Sequence, residues 1–89
     1  MREYERIDRI LELVRQMWLQ DPDSRFLQLI SNIESYYSID NDGEGLVEYT
    51  ELENGVPWSY RYIDLFNLED DKLELYLQEK LAERYKKEL

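Results

Sequence analysis

The chain contains no cysteine and no histidine. Without cysteine, neither a disulfide nor a thiolate zinc site can staple a small fold. Without histidine, the side chain that titrates nearest neutral pH is missing, and with it the usual general base and the commonest transition-metal ligand. Glycine and proline are scarce, three and two in 89 residues, so each break in regular structure can be placed individually. No apolar run exceeds three residues, which leaves no segment able to span a bilayer as a helix. The opening residues Met1-Arg2-Glu3-Tyr4-Glu5 carry charge where a secretory signal needs its apolar stretch. The expectation is a cytoplasmic protein.

What is abundant is acid. Asp and Glu number 21 against 11 Lys and Arg, for a formal net charge of -10. Nucleic acid is bound by neutralising its phosphates, so direct binding to it is not expected. Anionic membranes are disfavoured for the same reason. A basic partner or a cation is attracted, although the plainest role of such charge is solubility. The hydrophobic fraction of 43%, with 13% aromatic, is that of a folded chain. Length bounds it to a single domain, 1–89, that buries about 60–65% of its unfolded surface.

Ile7, Ile10, Leu11, Val14, Met17 and Trp18 recur at helical spacing and predict an amphipathic helix from about Tyr4 to Gln20. Glu5 with Arg9 and Glu12 with Gln16 sit four apart on its wet side. Asp21-Pro22-Asp23 ends that helix, because Pro22 disfavours the α conformation at Asp21. Pro22 also suits a helical first turn, and either aspartate can cap it. A second helix then runs to about Tyr37 with Phe26, Leu29, Ile30, Ile33 and Tyr37 on one face, and the short joint predicts an antiparallel pair. A third helix starts near Asp70, with Leu68 as an outside staple and Glu69, Asp70 and Asp71 at its positive end. Its stripe is Leu73, Tyr76, Leu77, Lys80 and Leu81, and Lys86 and Lys87 complement its negative end. Trp18, Phe26, Leu73 and Leu77 are the first choices for the core.

Between the second and third helices the pattern breaks. Ser38–Glu53 holds six acids and no base, with Gly43 and Gly45 among them. Asn54-Gly55 is a two-residue hairpin signal, flanked by the alternating sets Val47, Tyr49, Glu51 and Trp58, Tyr60, Tyr62. Pro57 confines at least one arm to a sheet edge. The expected fold is therefore mainly α, a compact three-helix domain. Its acidic and aromatic insertion at 38–67, between helices 2 and 3, is either a short hairpin or irregular chain.

Ile10-Leu11-Glu12-Leu13, Trp18, Pro22-Asp23, the run from Arg25 to Ile30, Asn32, and the run from Asp64 to Leu73 resemble small uncharacterised helical proteins of bacteria and their phages. The same residues are similar, more distantly, to the YihD-like family of unknown function. The likeness covers about half of the chain and implies a mainly helical fold and a bacterial or phage origin. It implies no activity, so no functional residue is carried over. Trp18 and Phe26 also read simply as core, Pro22 as a joint and Asp70 as a cap.

One stretch matches a chemistry. A calcium-binding EF-hand loop places oxygens at positions one, three, five, seven, nine and twelve, with glycine at six. Counted from Asp40, those positions are Asp42, Glu44, the carbonyl of Leu46, Glu48 and Glu51, with Gly45 sixth. A hard cation wants such an oxygen shell, and the glycine permits the tight turn. The flanks argue for a solvated acidic loop instead. Asn54-Gly55-Val56-Pro57 leaves barely two turns for the exiting helix, Glu44 is longer than the usual fifth ligand, and there is no second loop.

No serine or threonine lies near an evident base, and no carboxylate pair stands out, so an enzyme is not expected. Trp58, Tyr60, Arg61 and Tyr62 belong to the residue types that dominate interface hot spots, and they form a candidate partner-binding patch. They also read as packing for the insertion. The sequence thus points first to a non-enzymatic protein-interaction module, binding another protein or itself. A calcium-binding domain built on Asp40–Glu51 and an acidic mimic of nucleic acid are the alternatives.

Overall fold

The computed structural model describes residues 2–88, with side chains as far as Glu83. The expected helix-end pair, Lys86 and Lys87, lies outside the residues whose side chains are described. The element order is α1 (Glu5–Leu19), α2 (Phe26–Asp40), β1 (Leu46–Glu53), β2 (Val56–Ile63) and α3 (Asp70–Glu88). This is an α+β arrangement and corrects the expected mainly α three-helix domain. The stretch between α2 and α3 is regular antiparallel sheet, with arms of eight residues each. The cause is local. Val47, Tyr49, Thr50, Val56, Trp58, Tyr60, Tyr62 and Ile63 are β-branched or aromatic and favour strands. Asn54 and Gly55 both take positive φ, 52° and 79°, which gives the turn a twist that matches the strands. The chain divides into two compact units, Met1–Leu29 with Leu68–Leu89, and Ile30–Asn67.

In the first unit α1 packs against α3. Arg2 meets Glu69 at 2.9 Å, Arg6 meets Asp70 at 2.7 Å and Arg9 meets Glu74 at 2.5 Å, so the two helices run in the same direction. The expected antiparallel pairing of α1 with α2 reduces, within this unit, to the joint. There the rings of Trp18 and Phe26 lie 5.4 Å apart, and the Trp18 indole N–H donates to the Ser24 carbonyl at 2.8 Å. Neither aspartate of the joint caps α2, because Asp21 is committed to closing the turn. Its carbonyl accepts from the Ser24 N–H and its carboxylate from the Ser24 hydroxyl. The helix starts later, at Phe26, where Gln28 reaches back to the Arg25 N–H at 2.9 Å, half of a capping box.

Met17, Leu29, Tyr76 and Leu77 are the buried apolar residues of this unit, and Leu77 is sealed completely. Of the expected core, only Leu77 is buried. Trp18 and Leu73 are half-buried and Phe26 is 46% exposed, because the late start of α2 leaves Phe26 in its first turn. The covered side of α1 runs through Arg6, Ile10, Leu13, Val14 and Met17. Ile7 and Leu11 fall on its exposed flank, since the arginines that meet α3 set the helix rotation.

In the second unit α2 ends at a left-handed cap. The Gly43 N–H donates to the Ser38 carbonyl at 2.7 Å, with Asp42 at φ 57° in the position that glycine usually takes. The Asn41 side chain donates to the Tyr37 carbonyl at 2.8 Å. Gly45 then turns the chain into β1. Its φ is +80°, and a Cβ there would lie 2.6 Å from Leu65 Cδ2 and 2.8 Å from the Asp64 carbonyl oxygen. Only glycine fits both demands. The buried residues of this unit, Ile33, Tyr37 and Ser38, all belong to α2, whereas no residue of either strand is buried.

Candidate functional site

Two clusters of polar and aromatic side chains are the candidates. The first is the cleft of the first unit lined by Arg2, Arg6, Arg9, Glu69, Asp70 and Glu74. Its chemistry is explained by folding. Glu69, Asp70 and Asp71 put negative charge on the positive end of α3, and Arg2 ahead of α1 with Arg6 and Arg9 on it pair in turn with Glu69, Asp70 and Glu74. Arg9 also bonds Glu3, whose carboxyl the guanidinium holds below the ordinary range. Arg2 and Arg9 are held more firmly protonated by Glu69 and by Glu74, respectively. Each arginine is committed to a carboxylate of its own chain.

The second is the hairpin. The turn at Asn54-Gly55 fixes the register, pairing Glu53 with Val56, Glu51 with Trp58, Tyr49 with Tyr60 and Val47 with Tyr62. Side chains alternate along a strand, and paired residues share a face. One face therefore carries Val47, Tyr49, Glu51 and Glu53 beside Val56, Trp58, Tyr60 and Tyr62. The other carries Leu46, Glu48, Thr50 and Leu52 beside Pro57, Ser59, Arg61 and Ile63. On the first face Tyr49 stacks on Tyr60 with centroids 5.3 Å apart and meets the edge of Tyr62 at 6.0 Å. The Tyr60 hydroxyl donates to Glu53 at 2.8 Å, which holds its proton above the ordinary phenol range.

This face is open. Trp58 is 53% exposed, Tyr62 50% and Tyr49 42%. Partly exposed rings over carboxylates form a surface that takes apolar groups and cations together. The unit that carries it has eight acids and one base, Arg61, and Arg61 is on the opposite face within 3.3 Å of Glu48.

Of the residues singled out from the sequence for partner binding, Trp58, Tyr60 and Tyr62 share this face and Arg61 does not, because alternation turns it over. Tyr49, Val47, Val56 and the two glutamates were missed as members of the patch. The signal for them was present: a two-residue turn sets the register, and counting back from it puts Tyr49 opposite Tyr60.

The expected metal loop is distributed differently from a helix–loop–helix. Asp40 is the last residue of α2, Asp42 is its left-handed cap and Glu44 lies in the turn. Leu46, Glu48 and Glu51 are on β1, with Glu48 and Glu51 on opposite faces. Glu44 accepts a hydrogen bond from Tyr37, and burial together with that carboxylate pushes the Tyr37 phenol up. Among the described residues no group of three or more Asp, Glu, His or Cys is arranged to hold a metal ion, and no helix is long and apolar enough to cross a membrane. No family model, curated protein or solved structure matches this chain.

Proposed function

We propose that this chain is a non-enzymatic protein-interaction module and that the aromatic face of the hairpin is its contact surface. The observation that carries this reading is the half-exposure of Trp58, Tyr62 and Tyr49 side by side on one sheet face. Tryptophan and tyrosine supply much of the energy of protein interfaces, since they cover large areas with few rotatable bonds. A second support is energetic. A two-stranded hairpin is marginal by itself in water, and here neither face of the strands is buried. A bound partner covers apolar area and stabilises both itself and the hairpin.

The test compares the wild type with Trp58→Thr/Tyr62→Thr, which keeps β-forming side chains. Immobilised chain is exposed to lysate at physiological salt, and sedimentation across a range of concentrations reads self-association. The expected result is a defined protein, or a second copy, bound by the wild type and lost in the variant while the hairpin amide resonances persist. Equal retention by both chains, or a strictly monomeric wild type that retains nothing, overturns the reading.

A further inference from the structure

The hairpin has two outer edges, and they are not equivalent. The Asp64 N–H donates to the Gly45 carbonyl at 2.8 Å, which continues the ladder one step beyond the strands. Hydrogen-bonded pairs alternate with non-bonded ones in an antiparallel ladder. The bonded pairs are therefore Gly45 with Asp64, Val47 with Tyr62, Tyr49 with Tyr60, Glu51 with Trp58 and Glu53 with Val56. Residues between them direct their backbone groups outward. On β2 these are Pro57, Ser59, Arg61 and Ile63. Pro57 has no N–H to offer, and an exposed arginine further blunts that edge. On β1 they include Glu48, Thr50 and Leu52, none of them proline or a base, and the sheet has no third strand among the described residues.

We infer that the outer edge of β1 accepts a basic, extended peptide segment as a third strand, with its Lys or Arg side chains lying on the aromatic face beside Tyr49, Glu51 and Glu53. This rests on the reading of the chain as an interaction module and names the partner chemistry of that same surface. Main-chain hydrogen bonds to Glu48, Thr50 and Leu52 supply the affinity, and alternate side chains supply the selectivity. A residue on the added strand directly opposite Tyr49 or Glu51 stands within about 5 Å of it, Cβ to Cβ. A guanidinium there lies over a tyrosine ring and against a carboxylate. Charge decides among the occupants. A second copy of β1 would bring the carboxylates of Glu48, Glu51 and Glu53 beside three more and supply no base, and like charges on neighbouring strands are destabilising. The unit's eight acids and single base favour a basic strand.

The probe is a capped seven-residue peptide with arginine at alternate positions separated by threonine and valine. The comparison peptide has the same composition with its arginines in one block. Both are titrated into the full chain, isotopically labelled, at about 0.15 M ionic strength, where long-range attraction is screened. The expected result is that amide exchange at Glu48, Thr50 and Leu52 slows by about tenfold or more while Tyr49 and Glu51, already bonded across the hairpin, change little. The alternating peptide binds at least several-fold more tightly than the block. Glu51→Lys weakens it by about tenfold, against less than about twofold for Glu79→Lys, which makes the same charge change on α3. Equal loss in the two variants, equal affinity for the two peptides, or uniform protection along the hairpin overturns the inference. If the peptides fail while a lysate protein is still bound by the wild type and lost in Trp58→Thr/Tyr62→Thr, the inference falls and the interaction module stands. If that capture also fails, both fall.

Discussion

The two units of the chain spend their charge differently. The unit made of residues 1–29 and 68–89 holds thirteen acids and ten bases. Its arginines and carboxylates form a ladder between α1 and α3. The unit 30–67 holds eight acids and one base, and so carries seven of the ten net negative charges on fewer than half of the residues. In the first unit opposite charges fix which helices meet and how they are rotated. In the second Arg61 meets Glu48 on one face of the hairpin, and Glu51 and Glu53 lie on the opposite, aromatic face. Charge paired between helices is spent on folding, whereas the carboxylates beside the exposed aromatic rings are the ones that the proposed interaction would use.

The largest effect is expected in the core of the first unit. Leu77 is fully buried, so Leu77→Ala is expected to destabilise by about 3–5 kcal/mol through lost burial and a residual cavity. Denaturant titration checks it, and a loss under about 1 kcal/mol would mean that α1 and α3 are held by their ladder rather than by packing.

The next effect belongs to the second unit. Gly45→Ala combines a positive φ with a Cβ pressed onto Leu65 and the Asp64 carbonyl, and is expected to cost about 3 kcal/mol. Gly43→Ala meets nothing within 4 Å and should cost only the left-handed conformation, about 1 kcal/mol. Equal losses in melting experiments would show that the Gly45 turn relaxes freely.

The pH dependence should separate the units by sign. Tyr37 has its phenol pushed up by burial and by Glu44. Its contribution is complete below the unfolded phenol value of about 10 and fades as pH rises through the higher folded value. Stability should therefore decline on the alkaline side, and Tyr37→Phe should flatten that decline. Glu3 is held low by Arg9. Its smaller contribution is complete above the ordinary carboxylate range and fades as pH falls through the lowered value. Arg9→Ala should cause a modest loss at neutral pH that shrinks with added salt, because the Arg9 guanidinium itself stays partly in solvent. A loss that salt leaves unchanged would point to packing of the arginine stem instead.

The smallest expected effect tests the acidic stretch. Calcium and magnesium at matched ionic strength should leave the melting midpoint alike, because Asp40, Asp42, Glu44, Glu48 and Glu51 are spread over a helix end, a turn and both faces of a strand. A tight calcium site would add about 2.7 kcal/mol at a hundred times its dissociation constant. A calcium-specific rise of that size, lost in Glu51→Ala, would give the acidic unit a cation of its own and end the contrast between the two units.

Much of this was legible in the sequence, element by element. Helical periodicity located three helices, and α3 starts at Asp70 where its acidic first turn said it should. Asn54-Gly55 marked the hairpin turn. The fold class differs from the expected mainly α domain because the two short arms are regular strands, as their β-branched and aromatic residues favour throughout. The aromatic face is only partly legible: residue type singles out Trp58, Tyr60, Arg61 and Tyr62, whereas the register turns Arg61 to the other face and adds Tyr49 and Glu53.

Local patterns determined by themselves the helices, the turn, the alternation of the strands and the excess of acid, since each depends on neighbours a few residues apart. The tertiary structure alone decided that α1 meets α3, that Arg9 pairs with Glu74 and Glu3 and not with Glu5, and that Phe26 and Leu11 remain exposed. These outcomes join residues far apart in the chain, where the free energy of burial and charge pairing is shared among several helix faces and no single segment specifies the choice.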